Sequence, residues 1–362
     1  MAIYKIFPEK DASIYSETPT ANAGLDEILE IASYPSQGTG RTTRTLVQFP
    51  TDEIAAIVND NIGHTNFNAK IKLYLASANE VPYSYSIEAA PVYSNWTNGT
   101  GKFGDTPVNT SGVSWNNTNG STGWNLAVAA NVTASYQGSL PGGGDWITGS
   151  LGFNLITSQS HNQASTHDLN LDVTQAVKLH YSQSQFSTGI DNNRFILRLP
   201  SDVEFETTSS IKLRYFGVDT HTIYPPSLEL RWDDSTFSTG SSSQTIISNS
   251  DAIFAVSNNR GRFTDEEKYR FRLKARPKYP TRTFSTTSNY LTNYYLPAES
   301  YWGVRDEHTE EMVFDFDTNY TKISADSDSS YFDIYMGGLE PERYYRILVK
   351  TTIDGSTMVL DE

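Results

Sequence analysis

Apolar residues recur at every second position along much of this chain, in short runs bounded by Gly, Pro, Asn or Ser, which is the pattern of strands with one buried face. Thr43 to Phe49, Ala69 to Leu75 and Ser210 to Tyr215 read in this way. In Asn193 to Leu199 the residues Phe195, Leu197 and Leu199 alternate with Arg194, Ile196 and Arg198. Asp172 to Val177 reads as a short helical or extended piece that buries Val173, Ala176 and Val177. One further helix is expected at Thr51 to Val58, with Thr51 as its cap and Ile54, Ile57 and Val58 on one face. A second alternating series begins at Asp251 to Val256 and Tyr269 to Pro277. It continues through Tyr301 to Val304, Met312 to Phe316, Tyr331 to Tyr335 and Arg343 to Thr351. The pattern predicts an all-β chain of two sandwiches. Residues 1–233 and 245–362 are joined by a Ser/Thr/Gly-rich linker at 234–244, whose composition gives little apolar anchorage and predicts a flexible, protease-sensitive segment.

The first sandwich is interrupted by a long insertion, about residues 94–165, rich in Asn, Gly, Ser and Thr. A turn of helix is expected within it at Leu126 to Ala130. It carries Trp96, Trp115, Trp124 and Trp146. Trp115 is expected to staple the loop to the core. Trp96, Trp124 and Trp146 are the candidate glycan or interface residues, because aromatic faces stack on the apolar faces of sugars while Asn and Asp hold hydroxyls.

Composition narrows the functional classes. The 22 tyrosines and 12% aromatic content suit half-buried strands. With 42 acidic against 27 basic residues the net charge is −15, which opposes binding to nucleic acid or an anionic membrane. Cysteine is absent, so disulfides and thiolate metal sites are excluded. No apolar run is long enough to span a membrane. Met1 to Pro8 lacks the basic and apolar regions of a signal peptide, so export by the usual route is not expected. Sites such as Asn95-Trp96-Thr97 and Asn131-Val132-Thr133 are accordingly expected to be unmodified. The six histidines, His64, His161, His167, His180, His221 and His308, show no metal-ligand spacing. Pro141-Gly142-Gly143-Gly144-Asp145 lacks the Lys-Ser/Thr of a phosphate loop and reads as a turn. Asp315 and Asp317 alternate on an ordinary strand rather than flanking a cleft. No cofactor is implied. Calcium is the one ion that the loop residues Asp26, Asp168, Asp172, Asp191 and Asp219 could take, although such aspartates more often form turns and caps.

Seven pieces in order resemble the DNRLRE-type domains, β-sandwiches of jelly-roll kind akin to carbohydrate-binding modules and found in large bacterial surface proteins. They are Asp11-Ala12-Ser13-Ile14, Asn22-Ala23-Gly24, Arg44 to Phe49, Gly112-Val113-Ser114-Trp115-Asn116, Asp172-Val173-Thr174, Asn193 to Leu199 and Pro226-Ser227-Leu228-Glu229-Leu230. Leu339-Glu340-Pro341-Glu342-Arg343-Tyr344-Tyr345 resembles the corner before the sixth strand of fibronectin type III domains, with Tyr345 as the corner tyrosine. The resemblances imply a jelly-roll-like β-sandwich followed by an immunoglobulin-like one. The opening, Phe7-Pro8, Asp11-Ala12 and Gly24-Leu25-Asp26-Glu27-Ile28, resembles structural proteins of contractile-tailed marine cyanophages. That likeness implies a non-enzymatic virion protein of the tail, neck or baseplate. It would be made in the host cytoplasm and would assemble as an oligomer with other virion proteins. Recognition of a host surface glycan is the alternative.

Tyr269 to Arg276 places Arg270, Arg272, Lys274 and Arg276 in a row on one face. They are the candidate subunit-docking residues. The expected complement is the acidic face of Glu311 to Asp317, met either in the same sheet or on a neighbouring subunit.

Overall fold

The computed structural model describes residues 2–62, 66–125, 132–133, 142–150, 152–162, 164–181, 193–238, 245–248, 251–265, 267–279 and 294–361. Leu126 to Ala130, the linker residues 239–244 and Asp191 lie outside them. The fold is all-β, and the α-helices among the described residues are Thr51–Ala56 and Thr174–Tyr181. No helix is long and apolar enough to cross a membrane. The chain divides into two compact units, Ile6–Glu229 and, together with Met1–Lys5, Leu230–Glu362.

The larger sheet of the first unit runs in the order Thr157–Asn162, Ser84–Pro91, Arg194–Arg198, Thr39–Gln48, Ile28–Ser36, Ile211–Phe216, Leu75–Asn79, with Lys10–Tyr15 also paired to Thr39–Gln48. Facing strands include Phe67–Leu73, which lies between Leu169–Asp172 and Ser227–Trp232. Phe67, Ala69, Ile71 and Leu73 are buried and alternate with half-exposed Asn68, Lys70 and Lys72, as the period of two requires. Arg194–Arg198 departs from this alternation, because all five of its positions are buried. The insertion lies over its outward face and packs on Ile196.

The helix Thr174–Tyr181 begins where Asp172 Oδ1 accepts the Thr174 N–H at 2.9 Å, and it buries Val173, Ala176 and Val177. At the other helix the expected cap is corrected. Pro50 occupies the cap position with no side-chain bond, and Thr51 Oγ1 instead accepts from Asn193 Nδ2 at 2.8 Å. That helix continues into a π-helical turn over Ile57–Ile62.

The second unit is a two-sheet sandwich. One sheet is built on Lys268–Pro277, paired with Ser330–Tyr335, Ala252–Val256 and Tyr294–Tyr295. The other runs Met312–Phe314, Ser300–Asp306, Tyr345–Ile353, Ser356–Asp361. Phe271, Leu273, Phe332 and Ile334 of the first sheet meet Trp302, Val304, Phe314 and Val349 of the second in one core. Trp302 stacks on Phe332 at 5.3 Å between centroids. The Tyr345 hydroxyl donates to Glu340 O at 2.9 Å, the tyrosine-corner bond expected of such a sandwich.

Two features of this unit depart from the sequence reading. The linker is not free from its start: Ala325 N–H donates to Thr236 O and Ser238 N–H to Ala325 O, both at 2.9 Å. The first strand, Ala2–Ile6, contributes Ile3 to this core, and Tyr4 packs edge-on against Tyr335. Replacing Ile3 with Ala should therefore destabilise the second unit by about 2 to 5 kcal/mol through the cavity it leaves. Amide exchange at Trp302 and Val349 measures this. Unchanged protection there would show that the strand is dispensable to that core.

Candidate functional site

The insertion is the place where sequence reasoning located function, and its seat on the large sheet is a second hydrophobic core. Ala12, Ile14, Leu46, Ala90 and Ile196 from the sheet meet Trp96, Val113, Trp115, Trp124 and Trp146 from the insertion. All four tryptophans are buried, Trp96 and Trp146 at 2% exposure and Trp124 at 5%. The expectation of a sugar-stacking platform at Trp96, Trp124 and Trp146 is therefore corrected. A ring enclosed on both sides has no face left to offer a ligand. The physical reason is composition: small polar residues dominate the insertion, and its tryptophans, with Val113, Ile147 and Leu155, supply the apolar surface that anchors it.

Charged groups complete the anchor. Arg44, buried from the Thr39–Gln48 strand, donates Nε and Nη2 to the two oxygens of Glu204 at 2.8 and 2.7 Å, and Nη1 to Gly143 O at 2.5 Å. Its guanidinium also lies 4.9 Å from the Trp115 ring and 5.2 Å from the Trp146 ring. Arg198 stacks over Trp146 at 4.6 Å, pairs with Glu88 at 2.6 Å and lies 3.5 Å from Glu204. Burial lowers the Arg198 pKa, and Glu204 and Glu88 oppose that. The three consecutive glycines, expected to form a simple turn, have a packing role. A side chain at Gly142 would meet Trp115 O at 2.3 Å, and one at Gly143 would meet the Trp115 ring and Arg44 at 2.6 Å.

Two further polar hubs fix the insertion. Asn22 Nδ2 donates to Asn98 O and Val113 O at 2.7 and 2.8 Å, and its Oδ1 accepts from Gly101 N–H at 2.8 Å. Gly24 faces Asn98 O so closely that a Cβ would stand 2.0 Å from it. Asp145, fully buried, accepts from Ser94 N–H at 3.0 Å, from Ser94 Oγ at 2.5 Å and from Asn125 N–H at 3.1 Å. Three points spread along the insertion, residues 94, 125 and 145, meet on one carboxylate. Lys10 Nζ lies 4.7 Å over Trp96 and donates to its carbonyl at 2.6 Å.

These groups are engaged with one another in holding the insertion on the sheet. Among the described residues no three His, Asp or Glu side chains gather to hold a metal ion. Three of the loop aspartates considered for calcium serve the backbone: Asp26 accepts from Phe103 N–H, Asp168 from Leu75 N–H at 2.8 Å and Asp172 from Thr174 N–H. One cluster was invisible in the sequence. Tyr85 stacks on His161 at 5.0 Å, and its hydroxyl lies 2.7 Å from His167 Nδ1. His161 and His167 lie on either side of a turn, with nothing in the one-dimensional pattern to pair them through Tyr85. Burial lowers the His161 pKa.

The cationic row in the second unit is answered mainly from a strand that sequence reasoning did not choose. Arg270 forks onto Asp333 at 2.8 and 3.0 Å and stacks on Tyr331 at 4.0 Å, while Arg272 forks onto Asp326 at 3.0 Å. Of the two arrangements expected for Glu311 to Asp317, the pairing within one sheet does not form, because Met312–Phe314 belongs to the opposite sheet. Asp333 alternates with Phe332 and Ile334 on the strand that does pair, a readable signal in Ser330 to Tyr335. Lys274 and Arg276 are exposed and face Ala255 and Ile253 across the ladder.

A scan against protein-family models and a search of curated proteins both return no match.

Two outcomes are expected. Changing Glu204 to Gln leaves the buried Arg44 guanidinium without its carboxylate and Arg198 with Glu88 alone, and should cost about 3 to 5 kcal/mol in urea unfolding; a loss below 1 kcal/mol would contradict a buried ionic anchor. Asp11 gives a pH test. It is 1% exposed, accepts from Val218 N–H at 2.7 Å, and burial pushes its carboxyl up to about 7. The folded state therefore holds a proton that the unfolded state releases near pH 4, so this stabilisation is complete at low pH and is lost as pH rises through about 7. Asp11→Asn keeps an acceptor for Val218 and removes the titration. It should gain stability over the native chain by up to a few kcal/mol at pH 8 and show little gain at pH 4. The comparison isolates Asp11 from His161, whose lowered pKa acts in the opposite sense below pH 6.5.

Proposed function

We propose that this chain is a non-enzymatic structural protein of a bacteriophage particle, placed at the tail, neck or baseplate and built for assembly with other subunits. The observation that carries the reading is the use made of its aromatic and charged residues. Trp115, Trp146, Arg44, Arg198 and Glu204 are spent on holding a polar, loop-rich insertion in one conformation. A segment held so firmly offers a preformed surface, which lowers the ordering cost of association. On that surface Phe103 and Val108 remain 58% and 55% exposed, two apolar side chains amid small polar residues. The resemblance of the opening to cyanophage structural proteins supports the virion assignment. The glycan alternative keeps the resemblance of the first sandwich to domains akin to carbohydrate-binding modules, but its three tryptophans lie in the core.

Changing Phe103 to Ser together with Val108 to Asp should leave the isolated protein folded at a cost of about 1 kcal/mol, since both positions are more than half exposed and the chief loss is the 4.5 Å contact of Phe103 with the Tyr15 ring. Incorporation into particles, measured by quantitative mass spectrometry of purified virions, should fall severalfold. Absence of the native chain from purified virions would contradict the virion reading. Strong, specific signals on a glycan array would contradict the assembly role.

A further inference from the structure

Three rings close one side of the first unit, where the chain passes from the edge strand of the large sheet, Thr157–Asn162, to the edge strand of the facing one, Leu169–Asp172. His161 stands opposite Tyr85 across the ladder and stacks on it with 13° between the ring planes. His167, from the intervening turn, lies 5.8 Å from the same ring. The Tyr85 hydroxyl meets His167 Nδ1, and the Tyr215 hydroxyl donates to His167 O at 3.3 Å. The turn is tied to the strands on both sides. Asp168 Oδ1 accepts from Leu75 N–H, Gln159 Nε2 donates to Asp168 O at 3.1 Å, and Gln159 Oε1 accepts from Asn170 N–H at 2.6 Å.

His161 is 3% exposed, and its neighbours fix its tautomer. Nδ1 lies 3.0 Å from Thr166 O. A carbonyl oxygen can only accept, so Nδ1 carries the hydrogen and Nε2 of the neutral ring carries the lone pair. Nε2 is buried with no hydrogen-bond partner among the described residues. A proton added there would make a buried charge whose N–H has no acceptor. Burial is the main opposition to that charge, and His167, with the two rings 6.2 Å apart, adds to it; the Thr166 bond and the charge of Asp168 favour it. Burial pushes the Tyr85 hydroxyl up to about 12 and that of Tyr215 well above its ordinary value, so both stay neutral and offer no countercharge.

We propose that this cluster is a proton-operated clasp: with His161 neutral it holds the turn 162–168 against both sheets, and a proton at Nε2 releases the turn and lets that side of the sandwich open. The clasp is a property of the first unit alone and stands apart from the virion reading. Once the turn is open, His161 meets water and titrates near 6.5, so the open state takes up protons where the closed state does not. The clasp is therefore shut above about pH 7 and weakens as the pH falls below about 6.5.

Hydrogen exchange on the full chain tests this, with protection expressed relative to free amides at the same pH. The Leu75, Ser165 and Asn170 amides bond to or within the turn and report its opening. Between pH 7.5 and pH 5.0 their protection should fall about five- to thirtyfold, the upper figure being the protonated-to-neutral ratio of a free imidazole at pH 5. His161→Asn keeps a donor for Thr166 O and removes the titration. It should lower protection at both pH values through the lost stack, and leave the two within twofold of each other. His161→Phe, which keeps the stack in place of the donor, should show the same flat profile, whereas His167→Asn should retain the fall. A native chain whose protection changes less than twofold, or an equal fall in both His161 variants, would overturn the proposal. So would exchange of the three amides only in step with Leu46, because the turn would then not open by itself.

Discussion

A single buried ion pair sets the constraint on which the first unit depends. Arg44 and Glu204 are both without solvent contact, and two charges taken out of water are tolerated only if their hydrogen bonds are satisfied and their geometry is good. Here the requirement is met by the fork between them, by Gly143 O, and by the faces of Trp115 and Trp146. Those partners come from the large sheet, from the Glu204 loop and from two separate parts of the insertion. None of the four can move without exposing an unpaired charge to a low-dielectric core. The ion pair matters less for raw stability than for making one arrangement of the insertion far better than any other.

The glycines and polar hubs follow from that choice. Drawing the backbone at Gly142 and Gly143 onto Trp115 requires residues without a side chain, and both have positive φ. Drawing Gly24 onto Asn98 leaves buried amides and carbonyls that must be bonded, and Asn22 supplies the bonds. Asp145 does the same for the start of the insertion at Ser94 and for its middle at Asn125. A loop-rich segment with few apolar residues is thus ordered by a small number of dry contacts.

How much of this was legible in the sequence depends on the range of the interactions. Strands such as Phe67–Leu73 and Ile211–Phe216 declare themselves because one face is buried and the other is not, a local property. The corner tyrosine Tyr345 was legible because its partner Glu340 is five residues away. Arg194–Arg198 was half legible: its alternation was visible, but not that a distant segment covers the second face. The anchor was hidden, since Arg44 and Glu204 lie 160 positions apart and Asn22 and Val113 lie 91 apart. Trp115 was legible as a staple, whereas Trp96, Trp124 and Trp146 were offered to a sugar, because a ring that stacks on a sugar and a ring that packs in a core look alike in one dimension. Ile3 was read as part of the nearest sandwich, and it serves the core of the other unit.

The central claim is that the insertion and the large sheet behave as one cooperative body. Native-state hydrogen exchange tests it most directly, by comparing the Thr97, Val113 and Gly143 amides with the Leu46 amide at the centre of the sheet. The account predicts that all four open with the same free energy, as members of one unfolding unit. Exchange from the insertion several orders of magnitude faster than from Leu46 would contradict it.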